Sequence, residues 1–270
     1  MELCAGGIPK NVRRAANEAF LTDMASNYSK QNQNTWDKAA PLYYGHSALP
    51  FWGPYSIAFP KLIGKIKNKT FLEVGCGSGH SIRYLVRHGA QHVHGLDFST
   101  TQINFARTLN QTAIDQKRVT LWHRAMESRI PMHKVDTVFS IFALGWSMHL
   151  GKTIALIHSY LKKNGRFVFS WEHPIFRHFE YQNRAYVPVT PFWNDQYRTT
   201  EWKKKWAAHL SYPTIEDWYV LLTSHGFEVR QMLEPRPRVF PSYHRNKKQH
   251  YANAKAKLLP STIIFECLKK

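Results

Sequence analysis

From Thr70 onward the apolar positions of the chain follow two alternating rhythms. Short apolar runs of strand length are separated by segments whose apolar residues fall three and four apart, the pattern of repeated strand and helix units and hence of a parallel sheet. Strands are predicted over 70–76, 92–98, 119–124, 135–144 and 166–171, then over 227–233 and 262–269. Ile82, Leu85 and Val86 share one helical face before Gly89, and Ser99 with Gln102 reads as a capping box opening a helix striped by Ile103, Ala106, Leu109 and Ala113. Further helices are predicted over 152–163, ended by Gly165, and after Thr214 with Asp217, ended by Gly226. The run 135–144 is apolar on both faces, as a central strand covered from each side must be. The expected fold is α/β, with a doubly wound sheet of about seven strands.

Before Thr70 the pattern is weaker. Residues 1–30 are polar and aperiodic and read as an N-terminal tail in which Met24 could be the true start. A domain over 31–270 then opens with a cap (31–69), made of a helix around Thr35 to Tyr44 and an aromatic, proline-bearing loop, LPFWGPYSIAFP. Two more segments interrupt the strand and helix rhythm: an aromatic stretch over 174–212, too long for a structureless connection and read as a lid, and a basic one over 234–260, read as an insertion carrying a short surface helix.

Composition narrows the picture. Of the 270 residues 43% are hydrophobic, enough for one large core, and the net charge of +19 suits a polyanion, an anionic membrane surface or an acidic substrate. The longest apolar stretch, Val135 to Trp146, is broken by Asp136, Thr137 and Ser140 and falls short of the roughly 20 residues of a membrane helix. The first residues lack a secretory apolar core, and Cys4, Cys76 and Cys267 are scattered, so a reducing, cytoplasmic address is expected. The 15 histidines form no HExxH spacing, and no metal is expected.

The chemistry concentrates in Glu73-Val74-Gly75-Cys76-Gly77-Ser78-Gly79, at the junction of the first strand and its helix. Glycines at alternate positions permit positive φ and close backbone approach, while the free N–H groups of the helix start attract a ligand carboxylate or phosphate. Cys76 fills this turn as a small packing residue. Asp97 ends the second strand, where a carboxylate can accept hydrogen bonds from ribose hydroxyls. A dinucleotide fingerprint would need a glycine where His80 stands, which disfavours a nicotinamide enzyme.

This E-x-G-x-G-x-G pattern, together with Asp97 and the apolar fourth strand, resembles the class I S-adenosylmethionine-dependent methyltransferases over roughly residues 34–235 and again in the last strand. The resemblance implies a Rossmann-like seven-stranded sheet whose last strand is antiparallel, with S-adenosyl-L-methionine as cofactor. It places Glu73, Gly75, Gly77 and Gly79 against the methionine and ribose parts of that cofactor, Asp97 on the ribose and Phe98 beside the adenine. Ala125 stands where the family often has an acid, so that Met126 would pack on adenine and Glu127 would substitute for the acid. Ser140 to Phe142 would border the methionine end. A subgroup of bacterial small-molecule methyltransferases is similar in its segment Asn32 to Ala39 with Trp36 and Asp37, in Phe169 to Pro174 and in LEPRP (233–237). Such relatives often carry A-L-H-W where this chain has Ala143-Leu144-Gly145-Trp146.

Methyl transfer is an in-line displacement that asks chiefly for alignment and exclusion of water. His173, at the end of the fifth strand, is the first candidate for a base, with Glu172 second. Trp36, Tyr44, Trp146 and Trp171 are candidate substrate contacts, and the aromatic lid suits a flat acceptor, aromatic or anionic. The expected function is methyl transfer to an oxygen or nitrogen of a small molecule. Two alternatives are an RNA methyltransferase, favoured by Lys203 to Lys205, Arg236, Arg238, Arg245, Lys247 and Lys248 beside stacking aromatics, and a non-catalytic cofactor-binding protein.

Overall fold

The computed structural model describes residues 26–44, 51–55, 60–193, 197–202, 205–237 and 240–270. The tail before residue 26, its Met24, and the basic residues Lys203, Lys204 and Arg238 lie outside the described residues. In chain order the elements begin with α1 (26–39) and α2 (Pro60–Ile63), followed by β1 (Thr70–Val74), α3 (His80–Arg87), β2 (His92–Asp97), α4 (Thr100–Asp115) and β3 (Val119–His123). The second half holds β4 (Val135–Ile141), α5 (Leu150–Tyr160) and β5 (Leu161–Glu172). Two hairpins come next, β6 (Phe179–Gln182) with β7 (Ala185–Pro188) and β8 (Tyr197–Trp202) with β9 (Trp206–Ser211). The chain closes with α6 (Ile215–Ser224), β10 (Phe227–Leu233), α7 (Asn253–Ala256) and β11 (Thr262–Lys269).

Seven strands form one sheet in the order β10-β11-β5-β4-β1-β2-β3, all parallel except β11, which runs antiparallel to both neighbours. The expected Rossmann-like sheet with its antiparallel last strand is therefore present. Alternation along the central strands divides the core between the two faces. Val138, Phe167, Phe169 and Phe265 pack in one cluster, and Phe139, Val168 and Ile264 pack in the other, all fully buried. The chain leaves β1 toward β2 and β3 and later returns through β4 and β5 on the other side. The strand order thus reverses between β1 and β4, where ligands of such sheets bind.

Four segments depart from the sequence expectation. Helix α1 begins at residue 26, inside the stretch read as tail, because its partners are tertiary and leave no apolar stripe in the sequence. Helix α5 stops at Tyr160 rather than 163. Leu161 already pairs with Val135, Asn164 takes a φ of 59°, and the register shifts until Thr137 faces Arg166. The aromatic lid is two hairpins, the first turning through Asn183 and Arg184 at φ 48° and 67°. The basic insertion forms a turn at Ser242–His244 and the four-residue α7, whose Lys255 is only 2% exposed, instead of an exposed basic helix.

Candidate active site

A cavity opens at the C-terminal ends of β1, β2 and β4. At its floor, β1 runs into Gly75 at φ 74°, where any Cβ would lie 2.2 Å from that of Ala143, so only glycine lets β1 pass the β4 connection. At Gly77 (φ 50°) an added Cβ would touch Gln102 at 3.8 Å without clash, and the left-handed backbone is what favours glycine there. Asp97 holds the turn. Its Oδ2 accepts from Gly77 N at 2.8 Å and its Oδ1 from Ser99 N at 2.9 Å, while burial pushes its pKa up to about 6 despite these amides. Gln102 does not complete the expected capping box. Its backbone N–H donates to Ser99 Oγ, but its side chain accepts from Ser78 Oγ at 2.5 Å and braces the glycine turn.

Glu73 lines the same cavity and is 2% exposed. Ser81 Oγ donates to its Oε1 at 2.7 Å, whereas Oε2 is buried with no hydrogen-bond partner among the described residues, and burial holds the carboxyl well above its ordinary range. A polar ligand in the cavity would satisfy that oxygen. The glycine turn, Glu73 and Asp97 together offer backbone room, an orphaned acceptor and a carboxylate, a donor and acceptor set that fits an amino acid joined to a nucleoside.

Phe98, Met126 and Glu127 also line the cavity, as do Trp36 and Trp146. Glu127 Oε1 accepts from Ser147 Oγ at 2.7 Å and Met148 N at 2.8 Å, so it anchors the chain entering α5. Ser140 is fully buried, donates to Val74 O at 2.8 Å and lies behind the cavity wall, which Ile141, Phe142 and Ala143 provide instead. Tyr44 stacks on Phe105 at 4.2 Å outside the cavity, and its neighbour Tyr43 takes the lining position. His173 is not brought to the cavity. Its Nε2 bonds Glu234 at 2.8 Å and its Nδ1 accepts from Ile175 N at 3.2 Å, which occupies both ring nitrogens.

Trp171 packs over Gly145, where an added Cβ would fall 1.9 Å from the indole, so the large ring fills the space that a side chain at residue 145 would need. Beside it an aromatic group closes the cavity mouth. The Trp36 ring lies 5.2 Å from that of Trp146 and 4.9 Å from that of Trp202, in the hairpin strand β8.

Helix α1 is fastened at both ends of this mouth. Asp37 Oδ1 accepts from Ser99 Oγ at 2.6 Å and Thr101 N at 3.0 Å, beside Asp97. Toward β9, Thr35 Oγ1 donates to Ala207 O at 2.6 Å, and Asn32 exchanges two 2.8 Å bonds with the backbone of His209. Asn32→Ala is expected to destabilise the protein by about 2–6 kcal/mol, since it strands two buried backbone groups at about 1–3 kcal/mol each. Hydrogen exchange across 206–211 should quicken, and unchanged exchange would show that the hairpin stands without the clasp.

Comparison with known proteins agrees with this architecture. Residues 72–169 match the family model described as a methyltransferase domain. An uncharacterized protein of Haemophilus influenzae is 31% identical over 117 residues, which are 42% of this chain and 46% of that protein. A tRNA U34 carboxymethyltransferase of Shewanella sediminis is 35% identical over 82 residues, or 30% of this chain and 25% of that enzyme. The chain thus spans less than half the length of either relative. Among solved structures, an S-adenosylmethionine dependent methyltransferase from Mesorhizobium loti superposes with a TM-score of 0.64 at 21% identity, covering 78% of this chain and 95% of that one, a likeness of fold.

Proposed function

We propose, for a chain whose residues 72–169 match a methyltransferase-domain model, that it moves a methyl group from S-adenosylmethionine to a heteroatom, oxygen or nitrogen, of a small-molecule acceptor. The observation that carries this reading is the cavity itself, whose lining joins Asp97, Glu73 with its orphaned oxygen and the glycine turn to a set of aromatic rings. S-adenosylmethionine supplies an electrophilic methyl group on a sulfonium. Asp97 and the turn of Gly75, Gly77 and Gly79 hold the nucleoside side, Phe98 and Met126 flank its base, and Glu73 takes the amino acid side. Trp36, Tyr43, Phe142 and Trp146 shape the acceptor space and exclude water, so the chain acts by alignment in a dry site.

Asp97 accepts ligand hydrogen bonds as a carboxylate, and its pKa is about 6. Affinity for S-adenosylhomocysteine is therefore expected to hold above that pH and to fall as the pH drops through it, by at most about tenfold per unit for one proton. Calorimetry across this range checks the sign, and affinity that rises on acidification would contradict the role.

A second reading, RNA as acceptor, draws on the tRNA-modifying relative and on the exposed Arg245, Lys247, Lys248 and Tyr243 of the insertion. One experiment separates the two. The protein is incubated with methyl-labelled S-adenosylmethionine and a cell extract split into RNA and small-molecule fractions. Label in the small-molecule fraction supports the first reading, and salt-sensitive label confined to RNA replaces it with the second. No helix among the described residues is long and apolar enough to cross a membrane.

A further inference from the structure

Helix α1 meets the cofactor end of the cavity at Ser99. This residue, fully buried at the start of α4, is gripped by two carboxylates, its N–H by Asp97 Oδ1 and its Oγ–H by Asp37 Oδ1. Asp37 Oδ1 also accepts from Thr101 N, so one oxygen of α1 holds both the cap and a free amide of the 16-residue helix α4. The same serine reaches the glycine turn. Ser99 Oγ accepts from Gln102 N at 3.1 Å, and the Gln102 side chain accepts from Ser78 Oγ. Burial raises the Asp97 pKa first of all, and the Asp37 charge adds to it, which marks how near α1 lies to that carboxylate.

Asp37 does not line the cavity, but its helix does, through Ser29 and Trp36, with Tyr43 just beyond. The helix is also joined to the β8–β9 hairpin. Besides the Asn32 and Thr35 bonds, Gln31 Oε1 lies 2.6 Å from His209 Nε2, the Tyr28 ring stacks on that imidazole at 3.8 Å, and Trp202 packs on Trp36. Strand β9 lines no part of the cavity, although it packs on the turn Leu144–Trp146.

Lifting α1 would break both Asp37 bonds and take the acceptor from Ser99 Oγ and Thr101 N. It would loosen the residues on which Asp97 and the glycine turn depend. A ligand held by Asp97 and that turn therefore binds best with α1 seated, and by reciprocity its binding favours the seated helix. The hairpin follows α1 through Asn32, Thr35 and the His209 contacts.

We propose that Asp37 is a positioning residue, which without touching a ligand locks α1, Trp36 and the β8–β9 hairpin onto the occupied cofactor site. This rests on the methyltransferase reading and adds an order of assembly to it. The aromatic wall of the acceptor space sets when the cofactor is bound.

The test is amide hydrogen exchange of the full chain, free and with S-adenosylhomocysteine at about 100 times its Kd, where amides that open only after the ligand leaves slow by up to about 100-fold. In the wild type residues 75–79, 30–39 and 206–211 should all slow, the last two by at least about tenfold. Asp37→Ala should keep the effect at 75–79 and cut it to under about twofold at 30–39 and 206–211. Asp37→Asn, whose Oδ1 still accepts from Ser99 Oγ and Thr101 N, should restore most of it. A cap that merely stabilises α4 would speed exchange in the free protein and leave the response to ligand as in the wild type. If Asp37→Ala does not fold, Ser99→Ala, which keeps the Thr101 bond, replaces it, with a partial loss expected. Indifference of 206–211 to ligand in the wild type would overturn the assignment, as would a full response in Asp37→Ala, which would route the signal through Trp146 instead. Protein unable to bind S-adenosylhomocysteine would sink the cofactor reading, and this inference with it.

Discussion

Asp97→Ala is expected to weaken S-adenosylhomocysteine binding by roughly a thousandfold, from the loss of about two hydrogen bonds to a charged acceptor at 1.5–3 kcal/mol each. Asp97 reaches both Gly77 N and Ser99 N, so the alanine also strands two amides and loosens the turn that lies against the ligand. Asp97→Asn keeps one oxygen for Gly77 N and should retain the fold while losing less affinity. The ordering wild type, then Asn, then Ala, read by calorimetry beside thermal melting of each protein, separates a ligand contact from a purely structural role. Equal affinity in all three would remove Asp97 from the site.

Gly145→His, which restores the residue that similar chains often carry, is expected to destabilise this protein by about 3 kcal/mol, at the upper end of overpacking effects. A drop in Tm of about 6–12 °C follows for a chain of this size. The cause is specific, because the Trp171 indole occupies the space a Cβ would take at residue 145. Trp171→Ala should cost less in the Gly145→His chain than in the wild type, since it empties the volume the new side chain needs. If the double variant melts lower than the sum of its parts, the two residues are not a packing pair.

The sequence made the cofactor end legible because its requirements fall on residue types. A turn that grazes Ala143 demands glycine at residue 75, and a strand end that must accept from Gly77 N and Ser99 N demands an acid at 97. The acceptor end depends on phase and on distant partners, which local pattern does not carry. Tyr43 and Tyr44 differ by one step around a turn, enough to send one to the cavity and the other to Phe105. His173 reads as a free imidazole at a strand end until Glu234, 61 residues on, takes its Nε2. Gly145 looks like a missing side chain until Trp171 is seen to fill its place. Helix α1 was hidden for the same reason, its Asn32 being matched to a backbone 177 residues away.

The hairpins of the lid were closer to view. Phe179 to Pro188 alternates around Asn183-Arg184, a two-residue turn in which both central residues take positive φ, and asparagine favours that conformation.

The central claim, that the cavity beside Asp97 is built for S-adenosylmethionine, is tested most directly by calorimetric titration of S-adenosylhomocysteine and, separately, NADH into the full chain. The account predicts one-to-one binding of S-adenosylhomocysteine with micromolar affinity and no heat from NADH. Binding of NADH with no response to S-adenosylhomocysteine would contradict it and return the turn from Gly75 to Asp97 to the dinucleotide class.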